Sequence, residues 1–326
     1  IFKGKVASCL VNPRACHETE LKIVATTSPK KVAVVGAGPA GMACATTAAE
    51  RGHDVTLFDA AERIGGQFNI ARQIPGKEDF NETLRYFGRR IQTTGVKLEL
   101  NRRVDADSLK AGGFDHVVLA TGITPRKPAI PGVDHPMVCN YLDIIEGRKT
   151  AGQSVAIIGA GGIGFDVGEF LTHAHDGRSE AERFDAEWGI DRSYASRGGL
   201  KPAVDEDAPR RVYLLQRKSS KVGDGLAKTT GWIRRTLLKK RGVAMIAGVD
   251  YKAIDDAGLH ITINGEPKTL PVDTVVVCAG QEPRRDLFAP LQAAGVPVTL
   301  IGGADVAAEL DAKRAIDQGT RVAAGL

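Results

Sequence analysis

The chain has 326 residues, 43% of them hydrophobic and 25% charged, which suits about two ordinary domains and excludes a chain disordered by composition. It has no apolar run long enough to cross a membrane, and its five scattered cysteines include no CxxC pair, which argues against a disulfide scaffold and fits a reducing cytoplasm. The net charge of +5 is uneven: residues 173–209 hold nine acids and five bases, whereas residues 210–241 hold eleven bases and one acid, a pattern that suits a solvated helix face or a phosphate-rich ligand.

The opening stretch IFKGKVASC has neither an initiator Met nor a secretory core, and reads as a point inside a longer protein. Residues 1–26 read as an irregular lead-in. KVAVVGAGPAG then predicts a buried strand, a glycine turn and an Ala-rich helix, and DVTLFD predicts the next strand. Phe80, Leu84, Phe87 and Ile91 recur at helical spacing, and VKLEL and HVVLATG read as further strands.

Gly36, Gly38 and Gly41 form GxGxxG after the first strand. The first allows the tight turn, the second a close approach to a pyrophosphate, and the third close packing of helix on strand. The helix N-terminus favours that anion. Asp59 ends the following strand, where an acid bonds the ribose hydroxyls of an unphosphorylated adenosine. Gly65, Gly66 and Gln67 add a second close-approach loop, with Gln67 offering both donor and acceptor. These features point to FAD.

A second cycle starts at SVAIIGAGGIG, where Gly159, Gly161 and Gly164 repeat the fingerprint. A long polar stretch, 173–209, intervenes before the strand RVYLLQ, and reads as an insertion. That strand ends in Gln216, Arg217 and Lys218 where an NAD site carries an acid; cations there suit the 2′-phosphate of NADP. Short strands follow near 243–264, then DTVVVCAG. The two cycles end alike, in VVLATGITPR and VVVCAGQEPR, and so form an internal repeat.

Alternating strands and helices predict an α/β fold with two Rossmann-like dinucleotide-binding domains, the NADP domain inserted into the FAD domain. The FAD domain is expected over 27–150 and 284–326, and the NADP domain over 151–283. The C-terminal LIGGADVAAELDAKRAIDQG predicts a strand, Gly302 and Gly303, Asp305 and a helix, which has no place in the second cycle. Its helix N-terminus suits either a flavin ring or plain packing on the first domain. No catalytic GxSxG, HExxH or P-loop is present, and the HxH at 173–175 reads as a surface pair. No nucleic-acid motif accompanies the basic segment. Two dinucleotides in one chain imply hydride transfer, with the chemistry carried by the cofactors. A dinucleotide-binding module without catalysis remains the alternative, as does another NADPH-dependent flavoprotein reductase.

The segments VASCLVNPRACHETE, VVGAGPAG, GGQFNIA, QIPGKE, AIIGAGGIGFD, QRKSSK, KTTGWIRRTLL and IGGADVAAELDAKRAI resemble bacterial NADPH-dependent 2,4-dienoyl-CoA reductases over essentially the whole chain. Trimethylamine dehydrogenase shares that architecture. In that family a TIM barrel carrying FMN and the acid–base residues precedes this region, with a [4Fe-4S] cluster between. The resemblance therefore implies an electron-entry part: hydride from NADPH to FAD, then electrons through the cluster to FMN, in fatty-acid β-oxidation. It implies FAD contacts at Gly38, Ala40, Gly41, Asp59, Gln67, Val104, Gly122 and Asp305. NADP contacts would fall on Gly161, Gly162, Ile163, Arg217 and Lys218. Cys9 would be one cluster ligand, with the other three upstream of Ile1, while Cys16 matches a family cysteine of no assigned role. The implied partners are NADPH and the FMN-binding barrel.

Overall fold

The computed structural model describes residues 4, 6–174, 177–204, 207–307 and 311–326. In chain order the first elements are β1 (Lys31–Val35), α1 (Pro39–Glu50), β2 (Asp54–Phe58), α2 (Phe68–Ala71), α3 (Phe80–Thr94), β3 (Lys97–Glu99), α4 (Ala106–Ala111), β4 (His116–Leu119) and β5 (Ile123–Pro125). Next come β6 (Val138–Asn140), α5 (Tyr141–Ile145), β7 (Ser154–Ile158), α6 (Gly162–Thr172), α7 (Glu180–Trp188), β8 (Arg211–Leu215), α8 (Gly231–Lys240) and β9 (Ala244–Ile246). The last are β10 (Val249–Asp255), β11 (Gly258–Ile263), β12 (Glu266–Leu270), β13 (Thr274–Val277), β14 (Gln281–Pro283), α9 (Phe288–Ala293), β15 (Val298–Leu300) and α10 (Ala312–Ala324). The chain divides into two compact units. One comprises residues 1–72, 79–124 and 281–326, and the other residues 73–78 and 125–280. Among the described residues no helix is long and apolar enough to cross a membrane.

The first unit is built on a five-stranded parallel sheet in the order β15-β4-β1-β2-β3. After the exposed Lys31, β1 is apolar because both faces of the strand are covered. Val32 and Val34 face a cluster with Met42 of α1, Phe87 and Ile91 of α3, and Ile316 of α10. Ala33 and Val35 face the opposite cluster, with Leu109 of α4 and Leu291 of α9. Each of the Val, Leu, Ile, Phe and Met side chains among these, fully buried, contributes roughly 1.5–3 kcal/mol. Pro39 supplies the first turn of α1, and Gly95, at φ 76°, ends α3 in the left-handed cap. The helix expected from Phe80, Leu84, Phe87 and Ile91 is α3, with the last two buried.

The second unit repeats the plan: a parallel sheet in the order β6-β13-β7-β8-β9. One of its faces is covered not by a helix but by an antiparallel meander, β10-β11-β12. Val249, Ile254, Leu259, Ile261 and Leu270 pack there on Ala156, Ile158, Leu215 and Val275. The domain boundary expected at residue 150 is corrected to about 125. The reason is that β6 pairs in parallel with β13, Val138 opposite Val275, and so completes the second sheet.

Within the polar stretch, residues 177–204 form a small lobe built on α7 and a bridged turn. Ser179 and Glu182 form a reciprocal capping box at the start of α7, and Gly189 at φ 65° ends it. Ile190 then bridges Leu200. The Asp191 carboxylate accepts hydrogen bonds from the backbone N–H groups of Ser193 and Ser196 and from the Ser193 hydroxyl, which hold it far below the usual carboxylate range. Of the HxH pair read as a surface feature, His175 lies outside the described residues, whereas His173 is buried, with its Nε2 3.0 Å from a Glu180 carboxylate oxygen of α7.

Candidate dinucleotide sites

The glycine turn of the first unit is set by steric limits. Gly36 has φ 110°, and a Cβ on it would lie 2.3 Å from the Ala120 carbonyl oxygen. A Cβ on Gly41 would lie 1.8 Å from the Gly36 oxygen. Gly38, at the N-cap of α1, is different: the nearest atom to its Cβ position is the Gly66 Cα, at 4.0 Å. Gly36 and Gly41 are thus required by the fold, while Gly38 borders open space. Gly66, at φ 50°, places its own Cβ position 3.0 Å from the Gly38 Cα, so two bare backbones face each other. Gln67 follows as the half-buried N-cap of α2.

Asp59 follows directly on β2. Its carboxylate accepts the Ala37 N–H at 2.6 Å and the Ala61 N–H at 2.8 Å, so the strand end is tied to the glycine turn. Gly122 lies past β4 at φ 76° with nothing within 4 Å of its Cβ position. Its carbonyl accepts the Arg284 N–H at 3.0 Å, and the Thr121 hydroxyl donates to the Arg284 carbonyl at 2.6 Å. Val104 is half-buried against the cluster of β1 and β4. Ala40, in the first turn of α1, is 6% exposed and packs against the last segment of the chain. A Cβ on Gly302 would lie 2.8 Å from its Cβ, and one on Gly319 would lie 2.2 Å from its carbonyl oxygen.

That last segment departs from the expected strand–glycine–helix run. Gly302–Ala304 form a 3-10 turn capped by Asp305, and α10 starts only at Ala312. Residues 308–310 lie outside the described residues. Two residues missed from the sequence organise this corner. Gln318 accepts the Gly302 N–H at 2.8 Å and donates to the Asp305 carboxylate at 2.7 Å. Arg285 donates to the carbonyls of Ala304, at 2.7 Å, and Asp305. Neither stands in a motif; both become visible only once α10 and the segment after β14 meet the turn.

The second glycine turn reproduces the first. Gly159 has φ 111° and a Cβ position 2.5 Å from the Cys278 carbonyl oxygen; that of Gly164 is 1.9 Å from the Gly159 oxygen. Gly161 caps α6 with φ −83° and ψ −170°, against −78° and −175° at Gly38. Gly161 and Gly162 have nothing within 4 Å of their Cβ positions, and Ile163 follows in the first turn of α6. Backbone hydrogen bonds align the two strand ends. Phe58 accepts the Gly36 N–H in the first unit, and Leu215 accepts the Gly159 N–H in the second. Gln216 therefore occupies the place of Asp59, with Arg217 and Lys218 exposed just beyond it.

Two arginines of the basic segment are held in internal ion pairs. Arg234 of α8 meets Asp166 and Glu169 of α6, and Asp166 also meets Lys77 at 2.6 Å. Arg241 pairs with both oxygens of Glu187 at 2.9 and 3.0 Å. Arg217 and Lys218, by contrast, stand exposed at the strand end.

Cys9 is half-buried and Cys16 exposed in the lead-in, while Cys44, Cys139 and Cys278 are buried; all five are free thiols. Among the described residues no group of three or more His, Cys, Asp or Glu side chains is placed to hold a metal. A [4Fe-4S] cluster needs four thiolates or equivalents, so the described residues do not fit one. The dinucleotide cradles do fit their ligands. In each, a glycine with room at its Cβ position stands between the two glycines demanded by packing and caps the helix N-terminus, an arrangement of free N–H groups that fits a pyrophosphate.

The sequence matches the family described as pyridine nucleotide-disulphide oxidoreductase over residues 30–315. It is similar to a metal reductase of Desulforamulus reducens, 29% identical over 308 residues, covering 93% of this chain and 45% of that protein. Among solved structures it is similar to 2-naphthoyl-CoA reductase in complex with 2-naphthoyl-CoA, with a TM-score of 0.84 and 30% identity, covering 100% of this chain and 44% of that one. Histamine dehydrogenase from Rhizobium sp. 4-9, at 22% identity and a TM-score of 0.80, shares the fold, and this chain covers 46% of it. The chain thus spans less than half the length of these relatives.

Proposed function

The chain belongs to the pyridine nucleotide-disulphide oxidoreductase family, and we propose that it passes hydride from NADPH to FAD as the electron-entry part of a larger reductase of the 2,4-dienoyl-CoA reductase kind. One observation carries this reading: the same glycine cradle occurs twice, once ending in the carboxylate Asp59 and once in Gln216-Arg217-Lys218. The similarity to 2-naphthoyl-CoA reductase supports a whole protein that reduces the acyl group of a CoA thioester. Thiol exchange is not part of the proposal, because the chain has no CxxC pair.

FAD, when bound, supplies the hydride acceptor and the onward electron carrier. In the first unit Gly36, Gly38, Ala40 and Gly41 shape the pyrophosphate cradle, with Gly66 and Gln67 closing its far side. Asp59 bonds the adenosine ribose. Val104 and Gly122 offer backbone groups, and Asp305, held by Gln318, presents its end of the 3-10 turn to the flavin. In the second unit Gly159, Gly161, Gly162, Ile163 and Gly164 form the coenzyme cradle, and Arg217 and Lys218 meet the 2′-phosphate. Nothing in this chain is assigned to protonate an enoyl product; that acid is assigned to the remainder of the larger protein.

The test is an anaerobic titration of the FAD-loaded chain with NADPH. The flavin absorbance is expected to bleach, and an artificial electron acceptor to be reduced in steady state, while 2,4-dienoyl-CoA is not turned over. An unbleached flavin would mark a silent binding module, and turnover of the thioester would refute the division of labour. Arg217→Ala with Lys218→Ala is expected to weaken NADPH by about 1.5–3 kcal/mol per charged hydrogen bond lost, and NADH little. Equal weakening of both coenzymes would remove the 2′-phosphate assignment.

A further inference from the structure

We propose that Gln216 is the positioning residue that sets coenzyme choice: its carboxamide folds the Arg217–Ser220 loop into the form that receives a 2′-phosphate, and its neutrality keeps a carboxylate away from that phosphate. This rests on reading the second unit as an NADPH site.

The backbone of Gln216 repeats that of Asp59 bond for bond. Asp59 donates its N–H to Glu99 and accepts that of Arg102; Gln216 donates to Ile246 at 2.9 Å and accepts the Val249 N–H at 3.0 Å. The side chains then diverge. Asp59 reaches back to the Ala37 N–H of the glycine turn. Gln216 reaches forward: its Nε2 donates to the Lys218 carbonyl at 3.1 Å and the Ser220 carbonyl at 2.8 Å, and its Oε1 accepts the Gly223 N–H at 3.4 Å. The Lys218 carbonyl also accepts the Gly248 N–H at 3.0 Å, so the backbone of Lys218 is pinned from two sides.

Only a carboxamide satisfies this arrangement. Two carbonyls need a donor and an N–H needs an acceptor, and an ionised carboxylate has no donor to give. An acid at this position would therefore lose the bonds that shape the loop and also repel a phosphate held by Arg217 and Lys218. Loop geometry and charge are thus coupled through one side chain. The coupling explains how a strand end built like an NAD-type one is turned to the phosphorylated coenzyme. Gln216 acts through Arg217 and Lys218, and touches no reacting atom.

The experiment compares binding of adenosine 2′,5′-bisphosphate and adenosine 5′-monophosphate to the full chain by calorimetry, a readout independent of flavin turnover. Wild type is expected to prefer the bisphosphate. Gln216→Ala should cut that preference roughly three- to tenfold, the worth of one or two neutral hydrogen bonds, with 5′-monophosphate binding unchanged. The near-isosteric Gln216→Glu should cut it further. A preference left intact by both variants, or equal weakening of both nucleotides, would overturn the proposal. The Arg217→Ala, Lys218→Ala double variant separates the two levels. If it loses the preference while both Gln216 variants keep it, the proposal alone falls; if it keeps the preference too, the NADPH reading beneath it falls.

Discussion

The thiols divide by environment. Burial pushes Cys44 up to about 12 and Cys139 up to about 11, and raises Cys278 further. Thiolate is the reactive form, so these three should be inert near neutrality. Cys9 and Cys16, half-buried and exposed, are the two that a thiol reagent should reach in the native chain at pH 8. Unfolding in guanidinium should release the other three, and a native count above two would contradict this packing. At this scale the sequence was informative where a residue type has few uses: the glycines of each turn, and Asp59 after its strand. Gln318 and Arg285 were illegible because their partners lie 13 and 20 residues away and meet them only through folding. The Gln216 carboxamide was half-legible. Its place after the strand could be read, but its grip on Lys218 and Ser220 depends on how residues 217–223 turn.

The strand–turn–helix element separates glycines that the fold needs from glycines that a ligand needs. Gly41→Ala and Gly164→Ala put a methyl group within 1.8 and 1.9 Å of a backbone oxygen. Each is expected to cost about 1–3 kcal/mol or more, as overpacking does, and to lower the melting temperature. Gly161→Ala and Gly162→Ala meet open space at backbone angles an alanine accepts. They should leave the melting temperature unchanged or slightly raised, yet weaken NADPH by occupying the approach of the pyrophosphate. Paired melting and binding curves check both halves; a strongly destabilised Gly161→Ala would break the distinction. The elements themselves were legible from their period: the two glycine strands, α1, α3 and the closing strands. Short strands were expected near 243–264, where β10 and β11 lie, but not that they roof a parallel sheet, because short strands of mixed polarity do not announce what they cover. The folding of residues 177–204 was not legible either, because it depends on a capping box and on the Asp191 turn.

At the scale of the whole chain the stability should depend on pH through two histidines, both in the first unit. His53 is 5% exposed, its Nδ1 accepts the Lys30 N–H at 3.1 Å, and burial, with Arg51 and Lys30 nearby, lowers its pKa. His116 on β4 meets the Thr299 hydroxyl at 2.9 Å and is lowered by burial and Lys30. In the unfolded chain both protonate near 6.5. Between that value and the lower folded one, the unfolded state binds more protons, so stability rises with pH there and is lost on acidification. The loss should begin as pH falls through 6.5, above the range where Asp105, Glu182 and Asp255, themselves held below their ordinary values, begin to protonate. Melting temperature is therefore expected to fall by a few degrees between pH 7 and pH 5.5. The double variant His53→Gln, His116→Gln should flatten that slope while leaving the slope below pH 4.5 in place. Because neither histidine lies in a dinucleotide cradle, nucleotide binding at pH 7.5 by the variant should match wild type. A wild-type melting temperature that stays level down to pH 5.5 would mean that the two rings are hydrated enough to protonate in the folded state.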